Sequence, residues 1–296
     1  MPNYSIASGL FLFDSKDNLN VGNQIDAIRS VAAAGFIETE LMAEGVGWET
    51  GPQDPKPYHD ALEDLGVYPH TIHAPYQAIN LASFDEEERR ESVDQVAAAM
   101  RFLSELGGKT VIVHPSGRPL DAGLDYYTHE NIGAATENAH RSISELVGVA
   151  ETEGVRIALE NLPAKDMLAR PLETMRELRC FMADLPAQYV GICHDIGHTR
   201  LIGLDIADEA RVASDRLYAL HIQDGSTDND DHLPPGYGVL DFDSYAKALA
   251  DIEFDGAWTL EVLSRNHPGS IEDVAIELSN IRDRWDANGM GNVTHG

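Results

Sequence analysis

The feature that most constrains this chain is an alternation repeated eight times along its length. A short run rich in β-branched and aromatic residues is followed each time by a segment with the apolar spacing of a helix. "YSIASGLFLF" (4–13) leads into "NQIDAIRSVAAAG", where Ile25, Ile28, Val31 and Ala32 share one helical face. "FIETELM" is followed by "YHDALEDLG", "YPHTIHA" by "DEEERRESVDQVAAAMRFLSELGG", and "TVIVHP" by "ENIGAATENAHRSISELVGVAETEG". "VRIALEN", "YVGICHD", "LYALHIQD" and "AWTLEVLS" open the remaining units. Several helical segments end in Gly (Gly35, Gly66, Gly107, Gly154), as a C-cap with positive φ requires. Strict β/α alternation implies parallel strands joined by right-handed crossovers. Eight units predict an α/β fold, a (β/α)8 TIM barrel, in a single domain over residues 1–296. No Gly-rich nucleotide loop follows the first strand, which argues against a doubly wound dinucleotide fold.

In such a barrel the C-terminal strand ends converge on one mouth, where active sites lie. Read in order, the third to eighth strands end in "TIHAPY" with His73, "VIVHPSG" with His114, "IALENLP" with Glu160, "CHDIGH" with Asp195, "YALHIQD" with His221 and "TLEVLS" with Glu261. His198 stands on the turn beyond Asp195. A single His or Glu at a strand end is usually a cap or a satisfied polar group; six in succession are not six accidents. Imidazoles and carboxylates are the nitrogen and oxygen donors of divalent metals, so a metal site is expected at the mouth. The other histidines read as structure. His194 alternates away from Asp195 toward the helix layer, and His59, His70, His129, His140, His267 and His295 fall in helices, loops, tails or out of phase. Cys193, two residues before Asp195, belongs one layer deeper inside the barrel. Two cysteines supply neither a disulfide framework nor a Cys-based zinc knuckle, and a reducing cytoplasm is the expected location. No apolar run nears the ~20 residues that span a bilayer, and the N-terminal stretch lacks the basic start of a signal peptide.

This ordered set of motifs, from about Tyr4 to Trp285, resembles the xylose isomerase-like barrel superfamily of sugar isomerases, sugar epimerases and endonuclease IV. The resemblance to the sugar-acting branch implies one divalent metal, Mn2+ before Mg2+ or Co2+, held by Glu160, Asp195, His221 and Glu261, with His198 touching substrate hydroxyls. The resemblance to endonuclease IV implies instead three Zn2+, with His73, His114, His198, Asp230 and His232 as additional metal ligands. Residues of the right type stand at all of these positions, so the ligand inventory alone leaves both branches open.

Two features favour the sugar branch. "DDHLPPGYGVLDF" has the His-x-x-Pro-Gly-x-Gly-x-x-Asp-Phe form that resembles the sugar enzymes. An enzyme of duplex DNA draws its affinity from Lys and Arg against phosphates, yet the stretch Gly225 to Asp241 has none and "AEGVGWETGPQDPKPYH" has only Lys56. On the other side, "HAPYQAINLAS", with Tyr76, resembles the region that endonuclease IV inserts at a lesion. The partner expected is therefore a small-molecule sugar or sugar phosphate, with no membrane and no nucleic acid; a homo-oligomer is left open. Glu160 and Glu261, on the fifth and eighth strands, can flank a ketose as base and acid in enediolate chemistry. His73, His114, His198 and His232 are candidate substrate contacts, as are Tyr76, Trp48, Phe11 and Phe13 against the apolar face of a sugar ring. Arg118 and Arg265 are candidates for a phosphate or carboxylate. An intact ligand set argues against a decayed barrel that only binds a partner.

Charge bears on the working environment. Fifty acids face 21 bases, for a net charge of −29, and only five of the bases are Lys. The acids are dispersed over helical segments such as "FDEEERRESVDQ" and form no terminal tail. Such a surface is expected of a halophilic protein, kept soluble by hydrated carboxylates.

Overall fold

The structure, a computed structural model, describes residues 4–8, 20–44, 48, 53–77, 79–117, 123–164, 167–226 and 228–288. Eight strands pair in chain order and close on themselves: β1 (Tyr4–Ala7), β2 (Glu38–Met42), β3 (Tyr68–His73), β4 (Thr110–Val113), β5 (Arg156–Glu160), β6 (Val190–Asp195), β7 (Leu217–Ile222) and β8 (Trp258–Leu260). Every pairing is parallel, and β1 closes the ring against β8 through Tyr4↔Trp258 and Ile6↔Leu260. This is the TIM barrel that the alternation predicts.

The helices are α1 (Val21–Ala33), α2 (Lys56–Leu65), α3 (Glu86–Glu105), α4 (Ile132–Glu153), α5 (Met175–Phe181), α6 (Ile196–Leu201), α7 (Ile206–Ala213), α8 (Phe242–Asp251) and α9 (Ile271–Ala287). Gly66 and Gly154 end α2 and α4 in the left-handed region, at φ 64° and 68°, a conformation that any Cβ would disfavour. Asp85 caps α3 by accepting the N–H groups of Glu87 and Glu88. α3 and α4 are tied by the buried Arg89, whose guanidinium donates to Ser142 and Glu145 as well as to Glu86 in its own helix. Among the described residues no helix is long and apolar enough to cross a membrane.

Two apolar layers result. The larger lies between barrel and helices. The smaller, inside the barrel, consists of Ile112, Ala158, Cys193 and Ala219, each two residues before a mouth residue on its strand. Alternation puts them one layer beneath the polar side chains, and Cys193 sits there as predicted. His194 faces the helices: its ring meets Thr199 Oγ1 at 2.9 Å and Tyr245 Oη of α8 at 3.1 Å.

The barrel departs from plain pairing twice. Thr39 and Glu40 of β2 face Pro69 and Thr71, which leaves His70 as an extra residue in β3. Ile192 and Cys193 of β6 face Leu217 and Ala219, which leaves Tyr218 as an extra residue in β7. An extra residue switches the inward face of its strand, so each bulge determines which side chains downstream point to the axis.

Candidate metal centre

Four side chains from successive strand ends meet at the mouth. Glu160 ends β5, Asp195 ends β6, His221 lies in β7 and Glu261 follows β8. One ligand atom from each lies within 4.8 Å of all the others, and all four residues are buried. His221 Nδ1 is 3.5 Å from Glu160 Oε2 and 3.2 Å from Glu261 Oε2. None of these three atoms has a hydrogen-bond partner. Buried polar atoms are rarely left so, because each costs on the order of 1–3 kcal/mol. Three converging orphans, two of them carboxylate oxygens, fit a divalent cation bound among them.

Asp195 has a second task. Its Oδ1 accepts the N–H of His198 and caps α6, the helix formed by the turn on which His198 was expected. Gln223 Nε2 donates to both carboxylate oxygens of Asp195, at 3.2 and 3.0 Å, and its Oε1 accepts the N–H of His232. Gly197 leaves room for this amide, since any Cβ there would overlap Gln223.

Two further donor groups adjoin the first: His73 and His114 with Glu160, and His198 and His232 with Asp230. The histidines share a wiring pattern. His73 Nδ1 donates to the Ala74 carbonyl, and its Nε2 faces Glu160 Oε2 at 3.3 Å. His232 Nδ1 donates to the Glu261 carbonyl, and its Nε2 faces Asp230 Oδ1 at 3.4 Å. His198 Nδ1 meets the Asn161 carbonyl at 2.9 Å, and its Nε2 faces Asp230 Oδ2 at 3.5 Å. A backbone carbonyl accepts only, so it fixes a proton on the nitrogen that faces it and turns the other nitrogen toward carboxylates, where a cation could meet its lone pair when the ring is neutral. This is how proteins orient metal-ligating imidazoles.

The electrostatics are those of a closely coupled cluster. Burial alone would raise Glu160, but the charges of His114 and His221 hold it well below the usual carboxylate range. Burial pushes Glu261 well above that range, against the pull of His221. Burial lowers the His114 imidazole to about 4. His198 is driven the other way: burial is outweighed by Asp195, Asp230 and Glu160, which favour its charged form.

A cavity of about 210 Å³ opens onto these groups, lined by Met42, His73, Tyr76, His114, Glu160, His198, Asp230, His232, Glu261, Leu263 and Arg265. A second, of about 360 Å³, shares Tyr76, His114, His198 and Asp230 and runs to Met167 and Arg170. Tyr76 is seated by Glu44, which accepts its backbone N–H, and its ring lies 5.0 Å from His73 and 5.2 Å from His114. Trp48 packs edge-on against Phe102 of α3, 5.1 Å between ring centroids. Phe11, Phe13 and Arg118 lie outside the described residues. Three participants escaped the reading of strand ends: Gln223, Arg170, and Glu40 of β2, whose carboxylate meets His221 Nε2 at 3.1 and 3.3 Å.

The loop that carries Asp230 and His232 is fastened to the barrel. The buried Asp224 carboxylate accepts the N–H groups of Gly225, Gly236 and Leu240, and its backbone bridges to Leu233. Arg200 of α6 donates to the Asn229 carbonyl at 2.6 Å, next to Asp230.

Comparison with known proteins agrees with this architecture. The family described as xylose isomerase-like TIM barrel matches residues 28–283. An uncharacterized protein of Methanocaldococcus jannaschii is 27% identical over 260 residues, 87% of this chain and 80% of that protein. Fructoselysine 3-epimerase of Escherichia coli O157:H7 is 28% identical over 227 residues, 72% of this chain and 74% of the enzyme. The crystal structure of a D-tagatose 3-epimerase-like protein superposes with a TM-score of 0.79 at 23% identity, covering 97% of each chain, a likeness that shows the fold.

Proposed function

The chain belongs to the xylose isomerase-like TIM barrel family, and from that membership and its donor set we propose a divalent-metal-dependent epimerase or isomerase of a small sugar or sugar phosphate. The observation that carries the reading is the convergence of Glu160 Oε2, His221 Nδ1 and Glu261 Oε2, buried and without hydrogen-bond partners, beside Asp195. These four residues would hold the cation, Mn2+ first. The name of the Escherichia coli relative, a 3-epimerase, supports the reaction class.

The reaction removes a weakly acidic proton from the carbon beside a carbonyl. A bound divalent cation supplies charge stabilisation for the enediolate oxygens. Glu160, held ionised by its imidazole neighbours, takes the proton. Glu261 returns one to the other face in an epimerisation; in an aldose–ketose isomerisation one carboxylate carries the proton to the adjacent carbon. His198 orients a substrate hydroxyl, His73, His114 and Tyr76 line the approach, and His232 closes the cavity from its loop. Arg265, on the cavity wall, would meet an anionic group of the substrate. We read residues 1–296 as one functional unit working in a cytoplasm of high salt, with the dispersed net charge of −29 as its surface adaptation.

The test is solvent exchange. In D2O with Mn2+ and molar KCl, a ketose panel should contain at least one sugar that takes up deuterium next to its carbonyl, and Glu160→Gln should abolish the uptake. Absence of exchange across the panel, together with nicking of an abasic-site duplex and three Zn2+ per chain, would transfer the protein to endonuclease chemistry.

A further inference from the structure

Glu40 is 2% exposed, among the most deeply buried carboxylates of the chain, and it lies on β2, which supplies none of the four proposed ligands. Its two oxygens flank one nitrogen of His221, at 3.1 and 3.3 Å from Nε2. Thr71 Oγ1 donates to Oε2 at 2.6 Å and holds the carboxylate in that orientation. The contact depends on the bulge between β2 and β3: with His70 as the extra residue, Thr71 stands opposite Glu40 and both face the barrel interior. Such a buried carboxylate needs a reason, because ionised groups are rarely enclosed unless paired.

We propose that Glu40 is a positioning residue that fixes the His221 proton on Nε2 and thereby keeps the Nδ1 lone pair turned into the four-residue cluster. This inference rests on the metal reading above. A carboxylate accepts and does not donate, so the nitrogen between its two oxygens carries hydrogen. Where a cation takes the place of the proton on Nδ1, the lone pair there faces Glu160 Oε2 and Glu261 Oε2, while the Nε2 proton stays turned to Glu40. Without Glu40, the proton would be better placed on Nδ1, where either glutamate could accept it. The ring would then donate a hydrogen bond to the cluster and could not ligate there. The charge of Glu40 also makes the imidazole a stronger donor to a cation, as carboxylate partners of metal-bound histidines do.

Two measurements test this, and neither uses a sugar. The first is the 15N spectrum of histidine-labelled protein loaded with Mg2+, a diamagnetic divalent ion. His221 should carry a slowly exchanging proton on Nε2 in the wild type and in Glu40→Gln, whose amide oxygen still accepts, but not in Glu40→Leu. The second is Mn2+ affinity by calorimetric titration. Glu40→Gln should bind about 10-fold more weakly and Glu40→Leu about 100-fold, the range seen when such partners are removed. A proton on Nδ1 in the wild type would overturn the proposal, as would Mn2+ affinity unchanged in both variants. If neither variant folds, the wild-type spectrum alone decides. If Mn2+ binds in this Glu40-dependent way but no ketose exchanges its proton, the reaction assignment fails and the role of Glu40 stands. If the wild type binds no divalent metal, both fall.

Discussion

At the scale of single residues, the site is defined by which atoms have partners and which do not. Glu261 combines a proposed ligand oxygen with a proposed proton donor, so Glu261→Gln should remove both functions. We expect most of the bound Mn2+ to be lost in elemental analysis and at least ~10²-fold of the activity to disappear, the lower end of what a positioned acid or base contributes. His194 offers a different test, because it is buried between Thr199 and Tyr245 and takes no part in the cluster. Burial lowers its imidazole to about 3, well under the unfolded value of ~6.5. The unfolded chain therefore binds an extra proton between those limits. The contribution of His194 is complete above pH ~6.5 and is lost as the pH falls toward 3, with a slope of ~1.4 kcal/mol per pH unit. In urea titrations of metal-free protein from pH 7 to pH 4, His194→Gln should be less stable at pH 7 and should show a shallower decline. An equal slope in both proteins would contradict the burial argument.

At the scale of elements, a strand's period of two made the barrel and its mouth readable from the sequence. Counting from the strand ends found His73, His114, Glu160, Asp195, His221 and Glu261, and the inward counterpart Cys193, because those segments are regular from the bulges to the mouth. The bulges themselves carry no local signal: His70 and Tyr218 look like ordinary strand residues. Glu40 was invisible for a related reason. "ETELM" has two acids on one face, and the partner that distinguishes them, His221, is 181 positions away. α6 is not legible because "IGHTRL" is short and contains Gly; its start is marked by the Asp195 carboxylate, which caps it. The loop after β7 gives the prediction at this scale. Asp224 accepts three backbone N–H groups, so Asp224→Asn would turn a donor toward donors. We expect a loss of about 1–3 kcal/mol in urea unfolding. Weaker binding of any second cation at Asp230 and His232 should accompany it, with the affinity at Glu160 and Glu261 nearly unchanged.

At the scale of the whole molecule, a net charge of −29 makes solvent part of the structure. In dilute buffer of ~0.01 M the Debye length is ~30 Å, and like charges repel over that range; at 1 M it is ~3 Å. Thermal unfolding should therefore shift upward between roughly 0.1 M and 2 M KCl, and a flat profile would refute the salt-adapted reading. The closed order of strands has another consequence, one that concerns synthesis. The proposed donor set draws on β5, β6, β7 and the residue after β8, the last strand to leave the ribosome. Until Glu261 emerges and β8 seals against β1, a nascent chain has at most three of the four donors and no enclosed place to keep a cation. On the proposed reading, metal capture would be a late event in the life of each molecule, and a product truncated before residue 261 would lack the fourth donor however well its earlier strands have formed.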